Sequence, residues 1–270
     1  MNKNLVFIVL GILLIGLMGC EIKTPEIRGV VLDAETKQPV EGAWVSATIG
    51  IKTKTVAGDV GKIISLDTPH TRTGRDGRFV ISRKELKKPT FPVSFGIHVD
   101  DVIIVASTVN DRESSIRLEG ERLKKILEEN AVDLTIYSRS VERTEEEYFS
   151  HLQSLYTYCL TGRFGFEIPP VESGCDEWEL DYAITKHRRY LERYKKYADE
   201  GKAKGYFASL EQLSYLYEKK GDYVKAIETL KQSIALMERR GLLKFKDWQR
   251  DKAGIERRIN ELRQKLQEQK

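Results

Sequence analysis

Ala43-Trp44-Val45-Ser46-Ala47-Thr48-Ile49 places apolar residues at every odd position, with Trp44, Ser46 and Thr48 between them. Side chains on a strand point alternately to opposite faces, so this period of two predicts a strand with one buried face. Val93, Phe95, Ile97 and Val99 repeat the pattern around Ser94, Gly96 and His98, and Val132, Leu134 and Ile136 repeat it around Asp133 and Thr135. Val102 to Val105 is continuously apolar, as a strand covered on both faces would be. Turn residues separate these runs, and Asp76-Gly77 supplies the positive backbone angle of a tight hairpin. A brief helical segment near Glu121 to Glu129 is the one interruption. An antiparallel β-sandwich over residues 26–138 is the expectation.

Around that strand the order of residues is Ile27-Arg28-Gly29-Val30-Val31-Leu32-Asp33, then Thr36, Pro39-Val40-Glu41-Gly42-Ala43-Trp44-Val45, then Thr71, Thr73 and Asp76-Gly77-Arg78-Phe79. This resembles the carboxypeptidase regulatory-like domain over roughly residues 26–110. The resemblance implies a small transthyretin-like (prealbumin-like) sandwich that carries no zinc ligands, which argues against catalysis. Gly29 suits a close backbone approach, Pro39 and Gly42 a turn, and Gly77 a hairpin that leads Phe79 into the core. The sequence departs from the family between Ile51 and His70, an insertion expected as a surface loop before the hairpin. That loop and Trp44, on the outer strand face, form one candidate binding surface.

Upstream, Lys3 is followed by an apolar run from Leu5 to Leu17 that ends Leu17-Met18-Gly19-Cys20. A basic start, an apolar middle too short for a comfortable membrane span, and small residues at the end describe an export signal. The ending resembles the lipobox of bacterial lipoproteins, in which Leu17 and Gly19 fit and Met18 is a less usual middle residue. The resemblance implies removal of residues 1–20, diacylglycerol on the Cys20 sulfur and an N-acyl group on its new amine. An ordinary cleaved signal or an uncleaved apolar anchor is the alternative. Two or more acyl chains hold a protein firmly on a bilayer. Glu21 stands where an aspartate often marks inner-membrane retention, which favours the outer membrane of a double-membraned cell. Residues 21–25 then form a short tether.

Beyond Ser140 the period changes. Thr144-Glu145-Glu146-Glu147 reads as a capping box that starts a helix running through Tyr148, Leu152 and Leu155 to about Cys159. Gly162, Gly165, Pro169 and Pro170 cannot continue it, and the next helix begins near Asp176. Cys159 and Cys175 flank that stretch; in an exported protein they are a candidate disulfide, with a pair of buried free thiols as the alternative. Ile184, His187, Leu191, Tyr194 and Ala198 make a buried stripe, with His187 read as a core residue, while Lys186, Arg188, Arg189, Arg193, Lys195 and Lys196 make a basic, solvated face.

Leu210, Leu213, Ser214, Tyr217, Gly221-Asp222-Tyr223, Ala226, Leu230 and Ser233 resemble one tetratricopeptide repeat, clearest over about 207–240. The resemblance implies an all-α, TPR-like domain over residues 142–270. Tyr217 and Tyr223 are candidate binding residues. Glu238 stands where the family often has proline, and no second copy of the period is visible. Ile255, Ile259, Leu262 and Leu266 form the stripe of a last helix, for an array of about five or six helices.

The whole is expected to be α+β: a sandwich followed by a helical domain. The 270 residues include 45 basic and 41 acidic ones, interspersed for a net charge of +4, which offers no field for nucleic acid. No serine elbow, phosphate-binding glycine loop or His/Cys metal cluster occurs in the sequence, so catalytic residues, metal and cofactor are all expected to be absent, apart from the covalent lipid on Cys20. The function expected is that of a non-enzymatic, membrane-anchored envelope lipoprotein that binds an envelope protein. The alternative is a polysaccharide-binding module using Trp44 and the insertion. A third reading takes Asp100 and Asp101 as an acid and base pair.

Overall fold

A computed structural model describes residues 22–55, 58–64, 70–83, 85–86, 94–129, 131–161, 175–203 and 205–269. Cys20 and its leader lie outside the described residues, as does most of the stretch between Cys159 and Cys175. The chain divides between Ser140 and Val141 into two compact units, a sheet-rich one and a helical one, giving an α+β composition.

The first unit runs β1 (Ile22–Lys23), β2 (Glu26–Asp33), β3 (Trp44–Thr55), β4 (Gly58–Ile64), β5 (His70–Arg72), β6 (Arg78–Ile81), β7 (Glu85–Leu86), β8 (Ser94–Ser107), β9 (Arg112–Glu119), α1 (Gly120–Glu129) and β10 (Ala131–Ser140). The sheet order is β4-β3-β8-β9-β10-β2-β6, with β5 also on β3 and with β1–β7 as a separate ladder. The sheet is mixed rather than wholly antiparallel: β10 runs parallel to β2 from Ala131 opposite Glu26 to Ser138 opposite Asp33. A parallel pair needs a long connection, and here most of the unit provides it. β9 and β10 pair only through Arg139–Glu113 and Ser140–Arg112, so the sheet is joined at one corner.

Both halves of the sheet feed one hydrophobic cluster. Val45, Ala47, Ile49, Val102, Ile104 and Leu118 come from one half; Ile27, Val31, Phe79, Ile81, Leu134 and Ile136 come from the other; and Leu123 and Ile126 of α1 complete it. Each large side chain buried there contributes roughly 1.5–3 kcal/mol. The alternation expected for β3 holds from Val45 to Ile49, although Trp44 is buried too, and that of β10 holds from Leu134 to Ser138; the side chains of Val93, Phe95, Ile97 and Val99 lie outside what is described. Val102 to Val105 also alternates: Val102 and Ile104 are buried, whereas Ile103 and Val105 are half-buried. β8 has strands on both edges, and its second face is not fully covered.

Gly29 is required by packing. A Cβ there would collide with the Leu134 carbonyl oxygen and come within 2.8 Å of the Phe79 ring. Gly77 has φ +71°, as its turn needs, yet the turn does not close a hairpin. β5 pairs with β3 and β6 pairs with β2, so Asp76-Gly77 carries the chain between the two halves of the sheet. The Gly77 carbonyl accepts from Val31 N–H at 2.9 Å, and Phe79 follows into the core. The insertion expected as a loop is largely strand, because β3 continues to Thr55 and returns as β4, with Thr55 opposite Gly58 and Gly50 opposite Ile64.

Residues 22–25 of the stretch read as a tether belong to the fold, and Glu21 lies outside the described residues. Ile27 faces Ile81 in the β2–β6 ladder, and on the same register Ile22 faces Leu86 and Lys23 faces Glu85. Between the two ladders Thr24 is buried.

The second unit runs α2 (Glu145–Thr161), α3 (Glu177–Asp199), α4 (Tyr206–Lys219), α5 (Tyr223–Arg239), a 3-10 turn (Leu242–Lys244) and α6 (Lys246–Glu268). Each helix packs on the next, and α2 also packs on α4. Two capping boxes start helices: Thr144 with Glu147, and Asp176 with Glu179. Each satisfies amide groups that the first helical turn leaves unpaired. The α4–α5 turn uses Gly221 at φ +79° and Asp222, whose carboxylate accepts from Lys225 N–H at 3.1 Å. A Cys159–Cys175 disulfide ties the end of α2 to the start of α3. Among the described residues no helix is long and apolar enough to cross a membrane.

The α3 stripe is buried as expected and is wider than expected, since Tyr182, Ala183, Lys186 and Tyr190 join it. Lys186, read as part of the solvated basic face, is fully buried, with its ammonium 5.8 Å from the Tyr148 ring centroid and 5.9 Å from that of Tyr182. Its aliphatic stem fills core space while the charge meets aromatic faces. On α6 only Ile259 and Leu262 of the predicted stripe are fully buried, as befits the last helix of an array.

Candidate functional site

Consecutive antiparallel packing sets α3 and α5 on either side of α4, and a groove of about 640 Å³ opens between them. Thr185, Arg188, Arg189 and Glu192 line it from α3, and Lys225, Glu228, Thr229 and Gln232 line it from α5. These spacings of three and four put each set on one face of its helix. Leu213 and Tyr217 of α4 are the floor. At the C-terminal ends of the two walls, Arg239 of α5 donates to Asp199 of α3 at 3.1 Å and brings the helices together.

Tyr217 is 8% exposed, so most of its side chain is packed while it still lines the groove. Burial pushes the phenol above its usual pKa, against the pull of Arg188 and Lys225. The Lys225 ammonium lies 5.7 Å from the Tyr217 ring centroid and donates to Asp222 at 2.7 Å. Burial raises the Asp222 carboxyl, but the Lys225 side chain and backbone amide outweigh it, and the net shift is downward. Arg188 is exposed and makes no ion pair with any described residue, so its guanidinium is available to a ligand. Both threonine hydroxyls of the groove are turned into their own helices: Thr185 donates to the Asp181 carbonyl at 2.8 Å and Thr229 to the Lys225 carbonyl at 2.7 Å. The groove can therefore hold charged and amide groups, and it has no activated nucleophile among the described residues.

A second cleft of about 600 Å³ lies between α4 and α6 over Leu230 and Met237. The Phe207 and Trp248 rings, 4.9 Å apart, stand at its rim.

The residues singled out from sequence do not converge. Tyr217 is in the first groove; Tyr223 is half-buried at the start of α5 and does not line it. Trp44 requires a correction as a binding residue. It is 4% exposed and stacks on His70 with ring centroids 4.9 Å apart, so it offers no open face to a sugar or a partner. β5, which brings His70 alongside β3, is the cause. Asp101 is buried and accepts from Arg117 Nε at 2.8 Å; the Asp100 side chain lies outside what is described. His187 is core: Nδ1 donates to the Ala183 carbonyl at 2.9 Å, and Nε2 lies 3.2 Å from the Gln212 side-chain amide. Cys159 and Cys175 are joined. Among the described residues no group of His, Cys, Asp or Glu is placed to hold a metal ion. Sequence reading missed Arg188, Glu228 and Gln232 as neighbours across a groove; their helical spacing was visible, but not which helices face each other.

No protein-family model matches the chain, and no curated protein matches it. Among solved structures, a 5-hydroxyisourate hydrolase from Klebsiella pneumoniae shares 13% identity, covering 41% of this chain and 85% of its own, with a TM-score of 0.18. A 9R-lipoxygenase from Cyanothece shares 10% identity, covering 61% of this chain and 24% of its own, with a TM-score of 0.21. At these scores neither likeness bears on what the chain does.

Proposed function

We propose that the protein is a non-enzymatic lipoprotein of the bacterial envelope, held on a membrane by diacylglycerol and an N-acyl group on Cys20, whose helical unit binds another envelope protein. On this reading the first unit is a transthyretin-like sandwich of the carboxypeptidase regulatory-like kind. Gly29 beneath Phe79, and the positive φ of Gly42 and Gly77, support it. The second unit is a TPR-like module. Burial of Leu210, Leu213, Ser214, Tyr217, Ala226, Leu230 and Ser233 supports that, together with the neighbour-on-neighbour packing of its helices.

The groove over Tyr217 carries the binding role, since it combines an ion-free guanidinium with paired walls long enough for a protein segment. A photo-crosslinking residue at Gln232, in the groove, is compared with one at the exposed Glu261 of α6 in cells making the full chain. One discrete adduct from position 232 and none from position 261 is the expected result. No adduct from either position, or the same adducts from both, removes the groove as the binding face.

A further inference from the structure

The geometry points to the β1–β7 end of the first unit as a surface that lies against lipid headgroups, with the unit serving as a rigid spacer of about 30 Å between its anchored end and its exit strand. This rests on acylation of Cys20 as proposed above. Ile22 is already paired with Leu86, so Glu21 is the single residue between the lipid-bearing position and the ladder. At 3.3–3.6 Å per residue, the Cys20 Cα lies at most about 7 Å from that of Ile22, whatever conformation Glu21 takes. A free tether of five residues would let the unit tumble over the bilayer. A one-residue link into a strand that shares the β2–β6 register, followed by a buried Thr24, leaves little slack.

Arg83, exposed between β6 and β7, would stand close to the anchored surface, where an anionic headgroup attracts a cation.

The direction of the last strand sets what happens at the other end. Because β10 runs parallel to β2, Ala131 is level with Glu26 near the anchored end, and Ser138 is level with Asp33 at the far end. An antiparallel last strand would return the chain toward the membrane. The parallel one carries it away, and the ten residues of β10 at about 3.3 Å each set the length of the spacer.

The test uses the full acylated chain, with Cys159 and Cys175 bridged, in phosphatidylcholine and phosphatidylglycerol vesicles that contain a nickel-chelating lipid. A nitroxide is placed at Arg83→Cys or at Gln38→Cys; Gln38 is exposed in the turn after β2, its carbonyl bonded to Asp33 N–H at the far end. Nickel-induced relaxation at least about five-fold stronger at position 83 than at 38 is expected, because the effect fades across a spacer of this length. A flexible ten-residue insert between Glu21 and Ile22 should abolish the contrast. Equal relaxation at both positions, or stronger relaxation at 38, in protein whose mass includes the acyl chains overturns the orientation alone. Full contrast in the insertion variant overturns the short link as its cause. A mature chain without acyl mass overturns the acylation reading, and the orientation with it.

Discussion

Arg258 on α6 donates to Glu218 on α4 across 2.8 Å, and its guanidinium also lies over the Tyr215 ring. Lys265 donates to the other oxygen of the same carboxylate at 2.7 Å. This pair fastens the last helix, which otherwise has only Ile259 and Leu262 fully buried. Burial alone would raise the Glu218 carboxyl; the two cations outweigh it and hold it below its usual value.

Replacement of Glu218 by Gln should therefore loosen α6 by roughly 1 kcal/mol, a modest figure for a partly solvated ion network. Hydrogen exchange of α6 amides should rise about five-fold, with other helices little changed. The folded carboxyl titrates below the unfolded one, so its contribution is complete above the unfolded value near pH 4.5 and is lost as pH falls through the depressed folded value. Unchanged exchange in α6 would show that the network adds nothing.

Two glycines should respond in opposite senses to alanine. At Gly29 the new methyl meets the Leu134 carbonyl and the Phe79 ring, and the overpacking should cost roughly 1–3 kcal/mol. At Gly254, inside α6, nothing lies within 4 Å of the new Cβ, so Gly254→Ala should stabilise by about 0.8–1 kcal/mol through helix propensity. Urea midpoints of the two variants should move apart; an unchanged or raised midpoint for Gly29→Ala would contradict the packing at Gly29, and a lowered one for Gly254→Ala would contradict the open space at Gly254.

Removing the bridge by replacing both Cys159 and Cys175 with Ser should destabilise the helical unit by roughly 3 kcal/mol, the loop-closure entropy of a chain segment this long. The native protein, denatured without reductant, should expose no thiol from this pair to a thiol reagent, and reductant should release two. Two thiols without reductant would show that the cysteines are free.

His187 is buried with both ring nitrogens partnered, and desolvation lowers its pKa despite its hydrogen bonds to the Ala183 carbonyl and the Gln212 side chain, which oppose it. The folded protein then takes up its proton later than the unfolded chain does. Stability is complete above the unfolded value of 6.5 and falls as pH drops below it toward the depressed folded value. Unfolding titrations at pH 7.5 and pH 5.5 should show this loss in the natural protein and a smaller one in His187→Gln. Equal loss in both would assign the pH dependence to other groups.

What could be read from the residues is what depends on near neighbours along the chain. The inward faces Ala43, Val45, Ala47 and Ile49, and Leu134 and Ile136, follow from a period of two and are buried in that order. The boxes at Thr144 and the turn at Gly221 are written in a few adjacent residues, and the stripe from Ile184 to Ala198 follows from a period near 3.6. Hydrophobic partition acts on these patterns directly, so a face that alternates or recurs correctly has one side to hide.

Other features depend on which elements become neighbours in the fold. Trp44 is buried because β5 brings His70 beside it, and Lys186 is buried because α3 meets α2 on more than one stripe. Tyr217, Arg188 and Gln232 line one groove because α3 and α5 flank α4, and β10 runs parallel to β2 although its own pattern fits either direction. A strand's period names its buried face but neither its partner nor its sense. That choice is made by packing and by backbone pairing between residues far apart in the chain, for which a local pattern carries no signal.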